Sequence, residues 1–125
     1  MQPLRVLAID DDDFVRDLIS EILLPPRFEL RVAPSAADGL ELLAQRRPDL
    51  VLLDVDLGGD ENGFDVCRRI VAGEAPPPVV FLTSHEEPSF VDTGLQAGAA
   101  AYLCKPFSPL ELLDRIAAVT RSGGR

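Results

Sequence analysis

Four apolar residues in succession, Leu50–Leu53, stand between Asp49 and Asp54. A run this short and this uniformly apolar suits a strand buried on both faces, as in a parallel sheet covered by helices. Leu4–Ile9 ("LRVLAI") ahead of Asp10 and Asp11, and Pro78–Ser84 ("PVVFLTS"), have the same character. Phe28–Ala33 ("FELRVA") alternates and reads as a strand nearer the edge. Ala100–Lys105 ("AAYLCK") makes a fifth.

Helical patterns fill the intervals. "DFVRDLISEILL" carries Phe14, Leu18 and Ile22 at helical spacing, and Pro25-Pro26 ends it. Ser35 and Asp38 form a capping-box-like start to a helix that continues through Leu40 and Leu43 to about Arg47. "GFDVCRRIVAG" has Phe64, Cys67 and Ile70 on one stripe. A fourth helix runs from about Glu87 to Gln96 and stops at Gly98. "SPLE", Ser108–Glu111, is a capping box with proline at the first helical position; its helix runs to about Arg121, and 122–125 frays or begins a linker. Five strands alternating with five helices make an α/β domain over 1–121, a doubly wound parallel sheet with right-handed crossovers.

Composition narrows the function. A chain of 125 residues that is 46% hydrophobic is one folded domain. No apolar run approaches the roughly 18 residues of a membrane helix, and Val6–Ile9 meets four aspartates at once, unlike a signal peptide. Cys67 and Cys104, in a chain without a leader, read as reduced core fillers of a cytoplasmic protein. A net charge of −9 disfavours direct contact with nucleic acid.

In a doubly wound fold, ligands bind beyond the carboxyl ends of the strands. The residues due there are Asp10 and Asp11, Asp54, Thr83 with Ser84, and Lys105. Carboxylates about 4 Å apart repel by about 4 kcal/mol per pair at an effective dielectric near 20. A hard divalent cation relieves that repulsion, and Mg²⁺ needs only one or two carboxylates. Lys105 adds a fixed positive charge. A carboxylate can also attack phosphorus, with a metal, an ammonium and a hydroxyl each taking one oxygen of the transferring group.

The motifs "LAIDDDD", "PDLVLLDVDL", "NGFDVCRRI", "VVFLTS", "GLQAGAAAYLCKPF" and "PLELLDRIAAV" together resemble the receiver domain of two-component response regulators, of the chemotaxis-receiver type, over essentially the whole chain. The resemblance implies a flavodoxin-like (βα)5 fold with strand order 2-1-3-4-5. It implies Asp54 as phosphoacceptor, Asp10 and Asp11 as the Mg²⁺-holding pair, and the Asp56 carbonyl as a further ligand, with Mn²⁺ an acceptable substitute. Thr83 matches the switch hydroxyl, Lys105 the phosphoryl-binding lysine before a cis Pro106, and Tyr102 the switching aromatic. Asp56 and His85 fall where the family tunes dephosphorylation; taken alone, His85 reads as a solvated loop residue and Tyr102 equally well as core.

The partners implied are a sensor histidine kinase or phosphotransfer protein upstream and an effector domain or protein downstream. The effector would read the face of the fourth helix, fifth strand and fifth helix, which also leaves room for a homodimer. Phosphorylation from phosphodonors and self-dephosphorylation would be the domain's own chemistry, without enzymatic turnover. Two alternatives stand beside this reading: a receiver-like interaction module that works without phosphorylation, and a haloacid-dehalogenase-type phosphatase with Asp54 as nucleophile and Asp56 as acid/base. One departure from the family pattern lies in "LGGDENG". Gly58 occupies the usual proline position, and Gly63 comes nine residues after Asp54 instead of eight. The longer loop, with Asp60 and Glu61 beside the pocket, is expected to alter metal affinity or phosphoryl lifetime.

Overall fold

The structure, a computed structural model, describes residues 2–58, 62–85 and 87–123. Five strands, β1 (Leu4–Ile9), β2 (Phe28–Ala33), β3 (Leu50–Asp54), β4 (Val79–Thr83) and β5 (Ala101–Cys104), alternate with five helices. These are α1 (Asp13–Ile22), α2 (Ala36–Gln45), α3 (Gly63–Val71), α4 (Pro88–Gln96) and α5 (Pro109–Gly123). All neighbouring strands run parallel, in the order β2-β1-β3-β4-β5. The expected fold class and strand order are both present.

The alternation of side chains along each strand divides the core in two. Val6, Ala8, Leu50, Leu52, Val80 and Leu82 point to the face that packs α1 and α5. Leu7, Ile9, Val51, Leu53, Val79 and Phe81 point to the face that packs the remaining helices, where Val66, Cys67 and Ile70 of α3 meet them. Every residue of β3 and β4 is buried, which accounts for their uninterrupted apolar character. β2, at the edge, has the partly exposed pattern its alternating sequence suggested.

Most helix starts follow the expected chemistry. Ser35 Oγ accepts the Asp38 N–H at 3.2 Å. Ser108 and Glu111 close a reciprocal box, at 2.9 Å from Ser108 N to Glu111 Oε1 and 3.1 Å from Glu111 N to Ser108 Oγ. α5 continues to Gly123, two residues past the expected end.

α1 differs from its sequence reading. Its buried residues are Val15 and Ile19, followed by Leu23, one position on from Phe14, Leu18 and Ile22. Leu18 and Ile22 flank the core, whereas Phe14 is 74% exposed. Asp12 caps the helix three residues after β1 ends, its side chain accepting the Phe14 N–H at 2.9 Å. The first turn therefore stands at the sheet's carboxyl edge, with Val15 turned to the core and Phe14 to solvent.

Candidate functional site

Strand register brings distant residues to one edge. Ile9 lies opposite Leu53, so Asp10 follows β1 beside Asp54 at the end of β3. Asp54 lies opposite Leu82, and Thr83 opposite Cys104, which carries Thr83 and then Lys105 to the same edge. The Lys105 N–H donates to the Thr83 carbonyl at 2.8 Å and fixes where the lysine leaves the sheet. The Lys105–Pro106 peptide is cis, as the resemblance implies; Pro25–Pro26 is cis as well.

Three of these strand ends close in the same way. Asp10 Oδ1 accepts the Asp12 N–H at 2.9 Å. Asp54 Oδ1 accepts the Asp56 N–H at 3.1 Å. Thr83 Oγ1 accepts the His85 N–H at 3.0 Å. Each is a turn in which a short polar side chain bonds the backbone two residues on, which aims that side chain across the edge. Asp10 is wholly buried, Thr83 is 1% exposed and Asp54 4%, while Asp11 is exposed at the mouth.

The electrostatics follow from that burial. Lys105 Nζ lies 2.9 Å from Asp10 Oδ2 and 3.4 Å from Asp54 Oδ1. Burial, then the neighbouring Asp10 charge, pushes the Asp54 carboxyl up to about 7, although Lys105 pulls it down. Burial works against the Lys105 ammonium too, but its bond to Asp10 and the charges of Asp54 and Asp10 outweigh that, and its pKa is raised. Lys105 therefore faces an acidic group that it does not fully neutralise.

Asp10, Asp11 and Asp54 each offer a carboxylate oxygen, and these oxygens all lie within 4.8 Å of one another. Asp10 Oδ2, although ion-paired, has no aligned hydrogen-bond donor among the described residues. A buried acceptor with spare capacity among converging carboxylates suits a hard divalent cation. Gly58, at φ 70°, brings the loop after β3 alongside: a side chain there would begin 3.7 Å from Asp11 Oδ2. Asp60 and Glu61, expected beside the pocket, lie outside the described residues.

Gly63, across the loop, is needed for close approach. Its N–H donates to the Val55 carbonyl at 2.8 Å, and a Cβ would fall 2.7 Å from the Val55 Cα. That contact seats the start of α3 directly on the end of β3.

His85 is more constrained than a solvated loop residue. Its Nε2 lies 3.3 Å from Asp56 Oδ2 and its Nδ1 3.7 Å from Glu87 Oε2. Its ring stacks on Phe90 with centroids 4.3 Å apart. Tyr102 is half-buried against the core of the α3 and α4 side, and its hydroxyl donates to the Phe90 carbonyl at 2.8 Å.

Three contributors were not foreseen. Arg16 Nη1 donates to the Asp10 carbonyl at 2.6 Å and also pairs with Asp13. Gly94 gives the Tyr102 ring room, since a Cβ there would fall 2.6 Å from the Tyr102 Cζ. Phe90 links His85 to Tyr102. The one sequence signal for any of them was the glycine inside α4, where glycine costs about 1 kcal/mol relative to alanine.

Comparison with known proteins follows the same lines. Residues 6–117 match the family model described as the response regulator receiver domain. Among curated proteins, the transcriptional regulatory protein AfsQ1 of Streptomyces coelicolor is 41% identical over 120 residues, covering 96% of this chain and 52% of AfsQ1. The DNA-binding response regulator MtrA of Mycolicibacterium smegmatis is 38% identical over 117 residues, covering 94% and 50%. The chain thus spans about half the length of these relatives. Among solved structures, a putative response regulator from Chloroflexus aurantiacus superposes with a TM-score of 0.88 at 32% identity, over 95% of this chain and 98% of that one. The chemotaxis protein CheY4 of Vibrio cholerae gives 0.85 at 28% identity, over 94% and 98%.

Proposed function

The chain belongs to the response regulator receiver domains of two-component signalling, and from that premise we propose that Asp54 accepts a phosphoryl group from a sensor histidine kinase or a phosphotransfer protein. Receiver domains are signalling domains and bind Mg²⁺ at an acidic pocket; the acidic group here is Asp10, Asp11 and Asp54. Those three carboxylates, with the Asp56 carbonyl, would hold Mg²⁺ or Mn²⁺, which supplies charge neutralisation to the incoming phosphoryl oxygens.

The observation that carries the reading is the position of Lys105, 2.9 Å from Asp10 and 3.4 Å from Asp54. An Asp54 carboxylate oxygen attacks phosphorus; the bond from phosphorus to the donor atom breaks, and the donor departs with that electron pair. The Lys105 ammonium exchanges a carboxylate partner for a phosphoryl oxygen. Thr83 turns its hydroxyl from the His85 N–H toward another oxygen. Tyr102 shifts with it, and the face of α4, β5 and α5 changes its preferred conformation as a population shift. Hydrolysis of the acyl phosphate by water, at a rate set in part by Asp56 and His85, returns the domain to rest. An effector domain or protein reads the altered face, which could also pair two copies of the chain. Residues 1–121 act as the signalling unit, in the cytoplasm, and no described helix is long and apolar enough to cross a membrane. The match over residues 6–117 leaves the phosphatase alternative without support.

Intact-protein mass after incubation with acetyl phosphate tests this, with and without Mg²⁺ and beside Asp54→Asn. A Mg²⁺-dependent gain of one phosphoryl group, absent in the variant, is expected. A folded protein that gains none would favour the interaction module that needs no phosphorylation.

A further inference from the structure

Away from the acidic edge, near the starts of β1 and β2, the chain gathers positive charge although it carries −9 overall. Arg5 lies opposite Glu29 in the register of the two strands, and Arg31 lies opposite Leu7. These positions are two residues apart, so their side chains share one face of the sheet. The end of α2 brings its C-cap, Arg46, to the same place. Glu29 Oε2 takes Arg46 Nη1 at 2.9 Å and Arg5 Nε at 3.8 Å. Asp49, close by, accepts the Arg5 backbone N–H at 2.9 Å. Arg31 Nη1 is buried and has no hydrogen-bond acceptor among the described residues. Together with Leu7 and Leu42, the three arginines and Glu29 line a cavity of about 10 Å³.

Local chemistry accounts for the neighbouring arginines but not for Arg31. Arg46 ends a helix, where a cation is favourable. Arg47 donates from Nε to the Ala75 carbonyl at 2.7 Å and from Nη1 to the Pro48 carbonyl at 3.1 Å. Arg31 stands within a strand, beside Leu7 and Leu42, where an apolar side chain would pack without leaving a buried donor unmet. We infer that Arg5, Arg31 and Arg46 form a binding site for a small phosphate-bearing anion. One oxygen enters the cavity, which has room for a single water-sized atom, and accepts from Arg31 Nη1. The other oxygens meet the guanidinium groups of Arg5 and Arg46, whose side chains are 39% and 45% exposed. Guanidinium forks match phosphate geometry. Three arginines around the single carboxylate of Glu29 leave two positive charges, which suits a dianion. A water in the cavity would satisfy the Arg31 N–H and leave that charge unmatched. The site shares no residue with the pocket of Asp54, and the inference does not rest on the proposed function.

The test is a titration of the full chain with sodium phosphate, followed by amide chemical shifts in NMR, beside sodium chloride at matched ionic strength. A chelator keeps divalent cations out, and a pH of about 8 keeps phosphate dianionic. Saturable shifts centred on Leu7, Arg31 and Arg46 are expected, with no counterpart in chloride. Arg31→Gln should weaken phosphate binding by about tenfold or more, since it removes a charged donor. Arg31→Lys, which keeps the charge but not the fork, should restore only part of that loss. If Arg31→Gln fails to fold, Arg46→Gln removes a guanidinium from the exposed side and should weaken binding to a similar degree. The same titration with adenosine monophosphate separates two sources of the anion: tighter binding than phosphate assigns a nucleotide, and equal or weaker binding assigns the free anion. Shifts that fail to saturate, that chloride reproduces, or that centre on another part of the chain would overturn the inference. So would phosphate binding of unchanged strength in the folded glutamine variant.

Discussion

Replacing Asp54 by asparagine tests the electrostatic account of the pocket without changing its shape. Asparagine keeps an Oδ1 to accept the Asp56 N–H, and Lys105 keeps Asp10 at 2.9 Å. What disappears is a carboxylate whose pKa, raised from 3.8 to about 7 by burial first and the Asp10 charge second, makes ionisation costly in the folded chain. A raised carboxylate pKa means the folded state holds the proton more tightly than the unfolded state between those two values. The Asp54 contribution to metal-free stability therefore falls as pH rises from about 4 to about 7, then levels off. At about 1.4 kcal/mol per pKa unit the full shift amounts to about 4 kcal/mol. Solvent at the open mouth screens part of this, and about 2 kcal/mol is the expected effect.

Urea unfolding in the presence of a chelator, at several pH values from 4 to 8, gives both curves directly. The asparagine variant is expected to match the natural chain near pH 4 and to exceed it by about 2 kcal/mol above pH 7. The gap should open across the interval where folded Asp54 ionises. A gap of constant size from pH 4 to pH 8 would refute the reasoning, because it would show that charge at Asp54 does not set the cost. A natural chain more stable than the variant at pH 8 would refute it more strongly: Lys105 would then have over-compensated for burial.

Mg²⁺ should act in the opposite sense on the same quantity. At a hundredfold excess over its dissociation constant it is expected to stabilise the natural chain at pH 8 by about 2.7 kcal/mol, and Asp10→Asn should lose most of that in a thermal melt. Ile19→Ala, at a wholly buried position of α1, should cost about 2–5 kcal/mol in urea unfolding. Phe14→Ala on the same helix should cost no more than about 0.5 kcal/mol. Gly63→Ala should cost on the order of 3 kcal/mol in the same assay, because a Cβ 2.7 Å from the Val55 Cα forces α3 off the end of β3.

The parts of the molecule legible in the sequence are those fixed by the sheet. β3 and β4 are buried on both faces, so their apolar runs announce them, and parallel strands must end on one edge, so Asp10, Asp54, Thr83 and Lys105 had to gather there. The face of α1 was less legible for a physical reason. Phe14, Val15, Leu18, Ile19, Ile22 and Leu23 form one broad apolar stripe, and its spacing alone does not say which rim meets the sheet. The choice is made by where Asp12 caps the helix relative to the strand end, a tertiary fact.

The surroundings of His85 and Tyr102 were illegible for a related reason. Neither residue has a periodic neighbour that predicts its contacts, and both depend on how closely α4 approaches β5. Gly94 sets that approach, at a position where a helix would otherwise favour almost any other residue. A glycine kept inside a helix against its local preference implies a compensating close contact, and in this chain the contact is the ring of Tyr102. The same logic joins Gly63 to Val55 at the other side of the pocket. α3 and α4, on one face of the sheet, are thus each seated by a missing side chain. α3 and α4 stand where they do because the backbone leaves space at one residue in each, and the positions of Phe64, Phe90 and His85 follow from that seating.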